Sequence, residues 1–378
     1  MKIRKGYKYR LKINHVHGAS LVRFAGACRF VWNKMLAINA GRYLAGVPRL
    51  SYHDAAGLLT LWKQSDEYGW LTAVHSQVLQ QCLMDLERAY TNLFAGRAAP
   101  PQYRKKFLCD SFRYPQGFKL DGRTVFLPKI AWVEFWQSRA IEGTVKNVTL
   151  SRQGQHWFVA FQVERDVSDP VHPATAHVGI DLGIATFAAF SDGTRHPPLN
   201  AYRTRAAKKA RMQRRLTGMV KYSQNWKKQQ RRIAQLDLCI ANCRQDFLHK
   251  LSTETSKNHA LIGIENLQIR HMSRSARGTV EKPGRHVAAK SGLNKAMLDQ
   301  GWGTFRRMLE YKQLWRGGEV IAVPPRYTSQ ECPTCHHICT ENRPQQALFL
   351  CVACGYANHA DVVGAINIAT LALGHRER

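Results

Sequence analysis

Acidic residues are scarce in this chain: its 378 residues carry 26 Asp and Glu against 56 Lys and Arg, a formal net charge of +30. So one-sided a charge repels itself in a compact fold unless a polyanion neutralises it. Phosphate backbones do this well, because each neutralised phosphate releases condensed counterions. Long apolar runs are also missing, none approaching the ~18 residues of a spanning helix. The basic start, MKIRKGYKYRLKINH, has no apolar stretch behind it and so does not read as a secretory leader. These absences predict a cytoplasmic protein without a membrane partner. An apolar fraction of 44% argues against general disorder.

Ten cysteines in such a compartment read as thiols or metal ligands rather than disulfides. Cys28, Cys82, Cys109, Cys239 and Cys243 are scattered or fall at helical apolar positions, which predicts core filler. The other five crowd into the last fifty residues. Among them, Cys332-Pro-Thr-Cys335 and Cys351-Val-Ala-Cys354 form a CxxC…CxxC pair. Two such knuckles close a tetrahedral site, and four thiolates saturate one structural Zn2+ with no position left for a substrate. Cys339, His336, His337 and His359 are spare neighbours. The expected role is a clamp between the preceding strand and the helix that follows.

Along the first ~175 residues the pattern is mixed. YKYRLKI alternates like a half-exposed strand, and helical patterns follow from about Ala19 to Leu44, Tyr52 to Lys63 and Ser76 to Leu93. After Pro100-Pro101, TVFLPKIAWVEF, GTVKNVTLSR and HWFVAFQVER read as strands. The helical block therefore looks inserted into a β-barrel-like module built from both its flanks. DVSDPVHPATA, with two prolines, reads as a linker.

The second half opens with VGIDLGI, an apolar strand containing an acid. One long basic helical region is expected from about Tyr202 to Ser256, with a stripe of Ile233, Leu236, Ile240, Cys243 and Phe247. Between Arg203 and Lys250 stand 14 Lys and Arg against two Asp. Solvated helix faces normally mix signs, so this one reads as a phosphate-contacting face. HALIGIENL is a further apolar strand ending in a carboxylate, MSRSARGTVEKPGRHVAAKSG reads as a long loop, and a helix from about Leu293 to Trp315 precedes the strand GEVIAVP.

Asp181, Glu265 and Asp361 stand where acids are disfavoured, inside or beside apolar elements. Asp361 alone is equally a helix cap. Gathered together, three carboxylates repel unless cations lie between them. Hard cations such as Mg2+ take oxygen ligands, and two of them roughly 3.5–4 Å apart serve in-line phosphodiester displacement. An Asp on a first strand, a Glu on a later strand and a late Asp is the order of an RNase H-like (RuvC) nuclease.

In order along nearly the whole chain come YKYRLKI, GACRFVWNKML, LPKIAWVEF, GTVKNVTLSR, GIDLGI, RQDFLHKLST, GIENL, LDQGWGTFRRMLEYK, TSQECPTC, CVACG and ADVVGAINI. This series resembles the TnpB (OrfB) family of transposon-encoded RNA-guided nucleases, relatives of compact type V CRISPR effectors. The resemblance implies an α+β multidomain fold. Its parts are a wedge β-barrel (1–14 and 96–172), an inserted helical recognition lobe (15–95), a RuvC-like α/β core (173–325), an inserted zinc ribbon (326–356) and a final RuvC segment (357–378). It implies Asp181, Glu265 and Asp361 as the catalytic, Mg2+-holding triad. The implied partners are a noncoding guide RNA from the transposon end and double-stranded target DNA read beside a short motif. One protein copy per RNA is the expected state, with oligomerisation left open. Tyr52, Ser76, Gln77 and Gln80 match tag-contacting positions, and Gln suits adenine in the major groove. Arg104, Lys105, Lys208, Lys209, Arg214, Arg215, Lys227, Lys228, Arg231 and Arg232 are further nucleic-acid candidates. The chain departs from the family pattern at Val363 and Gly364, where Asn and Ala are usual, and at His336, where glycine is. A guided DNA-binding regulator without cleavage and a DNA transposase using the same triad are the alternatives.

Overall fold

The alternation in the opening residues does form a strand, β1 (Lys2–Lys12), with Ile3, Tyr7, Tyr9 and Leu11 buried and Lys2, Arg4, Lys8 and Arg10 outward. The computed structural model describes residues 1–106 and 110–376, so Cys109 lies outside the described residues. These form two units, Met1–Ser168 and Asp169–Arg378.

In the first unit β1 is followed by helices α1 (His15–Leu44), α2 (Tyr52–Gln64) and α3 (Ser76–Phe94). Asn14 caps α1 by accepting from the His17 N–H. Ser51 and Asp54 form a reciprocal capping box on α2. The strands β2 (Ser111–Tyr114), β3 (Lys119–Asp121), β4 (Thr124–Leu127), β5 (Ala131–Trp136), β6 (Thr144–Gln153) and β7 (His156–Asp166) follow. With β1 they make one antiparallel sheet, ordered β2-β6-β7-β1-β5-β4-β3. Among the described residues this ladder has two ends, the short strands β2 and β3, so it is a curled sheet. Both short strands went unread in the sequence. The helices share the sheet's core: Leu21 and Phe24 of α1 and Leu79 and Leu83 of α3 cluster with Phe112, Tyr114 and Phe161. Cys28 and Cys82 are buried there, as expected of core filler.

The second unit carries β8 (His177–Asp181), β9 (Ala188–Phe190) and β10 (Arg195–His196), then α4 (Ala206–Thr217) and α5 (Gln224–Asn258). Next come β11 (Leu261–Glu265), α6 (Ile269–Met272), α7 (Val287–Gln300), α8 (Trp302–Arg316) and β12 (Glu319–Val323). The hairpin β13 (Leu348–Leu350) and β14 (Ala357–His359) precedes the last helix, α9 (Ala360–Arg376). The main sheet runs β10-β9-β8-β11-β12, with β8, β9 and β10 antiparallel and β11 parallel to both β8 and β12.

Three expectations are corrected here. The basic region is two helices, because the chain turns between Gly218 and Ser223, whose hydroxyl caps α5. The helix expected from Leu293 starts earlier, at Val287, and breaks at Gly301, whose φ of +76° closes α7 before α8 begins. Cys239 is exposed and Cys243 only half-buried, so neither is core filler.

Alternation along β8 and β11 decides what each sheet face carries. Val178, Ile180, Ile262 and Ile264 pack with α5, α7 and α8 through Leu248, Met297, Phe305 and Leu309. The opposite face bears Gly179 and Asp181 on β8 and Gly263 and Glu265 on β11. Gly179 and Gly263 are register partners, and α9 lies directly on them. A Cβ on Gly179 would stand 2.0 Å from the Ala365 carbonyl oxygen and 2.5 Å from the Ala369 nitrogen, and one on Gly263 2.9 Å from Ala372 Cβ. The two glycines are a seat for the helix backbone.

Candidate active site and metal centre

Asp181 and Glu265 end adjacent parallel strands, on the same face as the two glycines, and the seat brings the first turn of α9 against them. The hydrogen a Cβ would replace on Gly364 points at Asp181: that Cβ would lie 3.3 Å from Asp181 Oδ2. Gly364 therefore leaves the carboxylate room that the family's usual alanine would narrow. Val363 faces away, fully buried with Cys332, Phe349, Cys351 and Ala360 behind the cysteine knuckles.

Burial, then the charges of Glu265 and Asp361, push the Asp181 carboxyl up to about 7, opposed by Arg343 and the Leu182 N–H. Glu265 is also raised by burial, and Thr328 Oγ1 holds it by donating at 2.9 Å. Asp361 forms an ion pair with Arg343, whose Nη2 lies 3.6 Å from Oδ1, and has His359 Nδ1 at 4.0 Å. Two half-buried carboxyls held above the usual carboxylate range, with Asp361 beside Asp181, fit a divalent cation, which would supply the missing positive charge.

This electrostatics fixes a pH dependence. Between pH ~4 and ~7 folded Asp181 keeps a proton that the unfolded chain has lost, so stability falls as pH rises through that window. In buffer without added divalent cations, the melting temperature of the second unit should drop by on the order of 5–10 °C across it. Asp181→Asn should flatten that drop, and millimolar Mg2+ should recover stability at pH 8. A wild-type profile identical to that of the Asn variant would contradict the burial of this charge.

Four sulfurs converge nearby. Cys332, Cys335, Cys351 and Cys354 have ligand atoms within 4.8 Å of one another, with Cys332 and Cys354 at 3.6 Å and Cys335 and Cys351 at 3.6 Å. A tetrahedral thiolate zinc site with Zn–S near 2.3 Å has edges of about 3.8 Å, so these residues fit Zn2+. Among the described residues this is the group of metal-ligating atoms gathered so tightly; the three carboxylates are spread wider. Buried Asn342 staples the knuckles, donating to the Gln330 and His337 carbonyls and accepting from the Val352 N–H. His336 takes a φ of +57° where glycine is usual and pairs with Glu331 at 3.0 Å. From α9, Asn367 Nδ2 donates to the Thr328 and Glu331 carbonyls, both at 2.8 Å. The knuckles, Glu265 and α9 are thereby tied through Thr328.

Thr328, Arg343 and Asn367 were not singled out in the sequence. Asn367 left a signal, a lone amide in an apolar helix. Arg343 left none, because only the fold carries it to Asp361.

The remaining candidates are dispersed. Tyr52 and Ser76 open α2 and α3, and Gln77 and Gln80 lie on the first turns of α3. The Arg104 guanidinium stacks 3.7 Å from the Trp32 ring, while Lys105 is exposed. Lys209 pairs with Asp237 at 2.6 Å. Lys208, Arg214, Arg215, Lys227, Lys228, Arg231 and Arg232 project from α4 and α5 into solvent. No helix among the described residues is long and apolar enough to cross a membrane.

Comparison with known proteins follows the same map. Residues 160–276 match a family model described as "Probable transposase" (OrfB_IS605), and residues 302–368 match a "Cas12f1-like, TNB domain". Residues 1–46 match a model described as "Helix-turn-helix domain", although here they form one strand and one long helix. A relative from Escherichia coli (strain K12), "Putative RNA-guided DNA endonuclease InsQ", is 50% identical over 99% of this chain and 93% of its own. A "Putative RNA-guided DNA endonuclease" from Streptomyces pristinaespiralis is 31% identical over 98% of this chain and 90% of its own. Among solved structures, a Cas12f1–sgRNA–target DNA complex aligns with a TM-score of 0.58 at 11% identity, covering 97% of this chain and 99% of that one. That likeness is one of fold.

Proposed function

Because the chain belongs to the OrfB (TnpB) family of transposon-encoded proteins, we propose that it is an RNA-guided DNA endonuclease. It takes a noncoding RNA from its transposon's end and cuts double-stranded DNA beside a short target-adjacent motif. The second unit is the RNase H-like (RuvC) nuclease with its zinc ribbon. The first is the wedge with its recognition helices, which reads the motif through Tyr52, Ser76, Gln77 and Gln80. Exposed cations of α4 and α5, with Arg104 and Lys105, meet phosphates. It works in the cytoplasm at the nucleoid, one copy per RNA.

One observation carries the reading: Asp181 and Glu265 end neighbouring parallel strands while α9, seated on Gly179 and Gly263, delivers Asp361 to them. Asp181, Glu265 and Asp361 would hold Mg2+, and two such ions supply a water-derived nucleophile and charge for the leaving 3′-oxygen. Thr328 fixes the Glu265 carboxylate by donating to it. Arg343 keeps Asp361 in place and adds positive charge where a phosphodiester would enter. Burial of Asp181 keeps bulk water from screening these charges. The placement of all three acids favours a cutting enzyme over a regulator that has lost cleavage.

The test is to express the chain with its native flanking DNA, sequence the RNA that copurifies, and challenge the complex with plasmids of randomised flanks. A single dominant transcript and Mg2+-dependent cutting at guide-matched sites beside one motif are expected. Bulk cellular RNA with no matched cutting would overturn the guided reading.

A further inference from the structure

Every buried residue of α9 is apolar or glycine except one, Asn367. An amide in that place costs free energy unless it is hydrogen-bonded, and alanine would make the better helix. Asn367 is therefore kept for its bonds. Its Nδ2 donates to the Thr328 carbonyl and to the Glu331 carbonyl, each at 2.8 Å. Among uncharged side chains only an amide carries two hydrogens on one atom, so it alone can serve two carbonyls this way.

The two carbonyls belong to one tight turn. The Gln330 and Glu331 N–H groups both donate to the Tyr327 carbonyl, at 2.9 and 3.0 Å, and Tyr327 takes a φ of +64°. A non-glycine residue in that region is strained and persists where its surroundings hold it. Thr328 stands inside the turn, buried, and its hydroxyl has one hydrogen facing two acceptors. Glu265 Oε1 lies at 2.9 Å and the Pro325 carbonyl at 3.2 Å. Where the Thr328 backbone sits decides which of them receives the hydrogen. Asn367 sets that position through its bond to the Thr328 carbonyl.

We propose that Asn367 is a positioning residue for Glu265: its grip on the turn keeps the Thr328 hydroxyl on the carboxylate and so holds that carboxylate in the orientation that binds a divalent cation. This rests on the reading that Asp181, Glu265 and Asp361 hold such cations. With Asn367 removed, the strained turn is free to relax and the hydroxyl to swing to Pro325, leaving Glu265 without its donor. Groups that hydrogen-bond a ligating carboxylate typically matter about ten- to hundredfold in metal affinity. The second bond of Asn367 falls on Glu331, the residue before Cys332, so a role confined to the cysteine knuckles has to be told apart by the test.

The experiment takes the full, zinc-loaded chain without RNA or DNA and titrates it with Mn2+ alone by calorimetry, in buffer free of chelator. Asn367→Ala and Thr328→Val should each weaken Mn2+ binding by about ten- to hundredfold. Because both act on Glu265 through one hydroxyl, the double variant should bind as the weaker single does, within about twofold. Thr328→Ser keeps the hydroxyl and should stay within about threefold of wild type. Zinc content should match wild type throughout. In the RNA-loaded complex of Asn367→Ala, raised Mg2+ should restore cutting while affinity for the DNA duplex is unchanged, a split that a damaged fold does not give. Should Asn367→Ala yield no soluble chain, Asn367→Ser, which loses the amide but stays polar, is read in its place. Mn2+ affinity within about twofold of wild type in the Asn367 variant would overturn the proposal, as would losses that multiply in the double variant. Zinc lost in step with Mn2+ would also overturn it and make Asn367 a support of the knuckles alone. Asp181→Asn in the same titration tests the underlying reading: if wild type binds no Mn2+, or this variant binds it equally well, the cation centre itself falls. Binding weakened by Asp181→Asn but not by Asn367→Ala sinks the role of Asn367 and leaves the centre standing.

Discussion

Replacing Asp181 with Asn should lower cleavage of guide-matched DNA by about a thousandfold or more, while RNA retention stays near wild type. The size follows from what the carboxylate does. Cations in such centres contribute several kcal/mol to the transition state, and each ~1.4 kcal/mol lost is tenfold in rate. Asn keeps the shape but halves the oxygen donors and removes the charge. The basic faces of α4 and α5 lie on other elements and are untouched. The same change removes a carboxyl that burial, then Glu265 and Asp361, push up to about 7, so without divalent cations the variant should melt higher than wild type at pH 8. Less cutting, equal RNA and greater stability form a signature that misfolding cannot produce. A variant that cuts within tenfold of wild type would remove Asp181 from the chemistry.

Gly179→Ala carries the largest expected structural cost. The added methyl would meet the Ala365 carbonyl oxygen at 2.0 Å, Ala369 nitrogen at 2.5 Å and Ala369 Cα at 3.0 Å. All three are backbone atoms, so no side-chain rotation relieves the clash and α9 itself must shift. Losses beyond about 4 kcal/mol belong to such cases. The soluble yield should collapse, or the urea midpoint of the second unit should fall steeply. Gly374→Ala, in the same helix, meets nothing within 4 Å. It should be neutral or stabilise by up to about 1 kcal/mol, as alanine does in helix interiors. Equal midpoints for the two variants would mean that α9 does not rest on β8.

The contrast explains which features could be read in advance. GIDLGI and GIENL were legible as strands because an acid in an apolar run is a local anomaly, and the CxxC pairs because metal spacing is local too. The role of Gly179 and Gly263 was not, since what makes them necessary is a helix roughly a hundred residues or more downstream. The turn between α4 and α5, TGMVKYS, contains no proline and only one glycine, so the basic pattern ran through it. Gly301 was hidden between two stretches of similar apolar spacing. Strands β2 and β3 span four and three residues, too short for alternation to register. Arg343 and Thr328 reach the acids only through tertiary folding, and neither residue type is unusual in its local surroundings.

The glycine seat also acts as a timer during translation. Strands β8 and β11 leave the ribosome well before α9, and until that helix exists the groove above the two glycines holds only two of the three acids. The third arrives with the last described helix, after the cysteine knuckles that tether it have been made. A nascent chain that has not yet released α9 therefore presents two of the three acids, with the groove that seats the third still open.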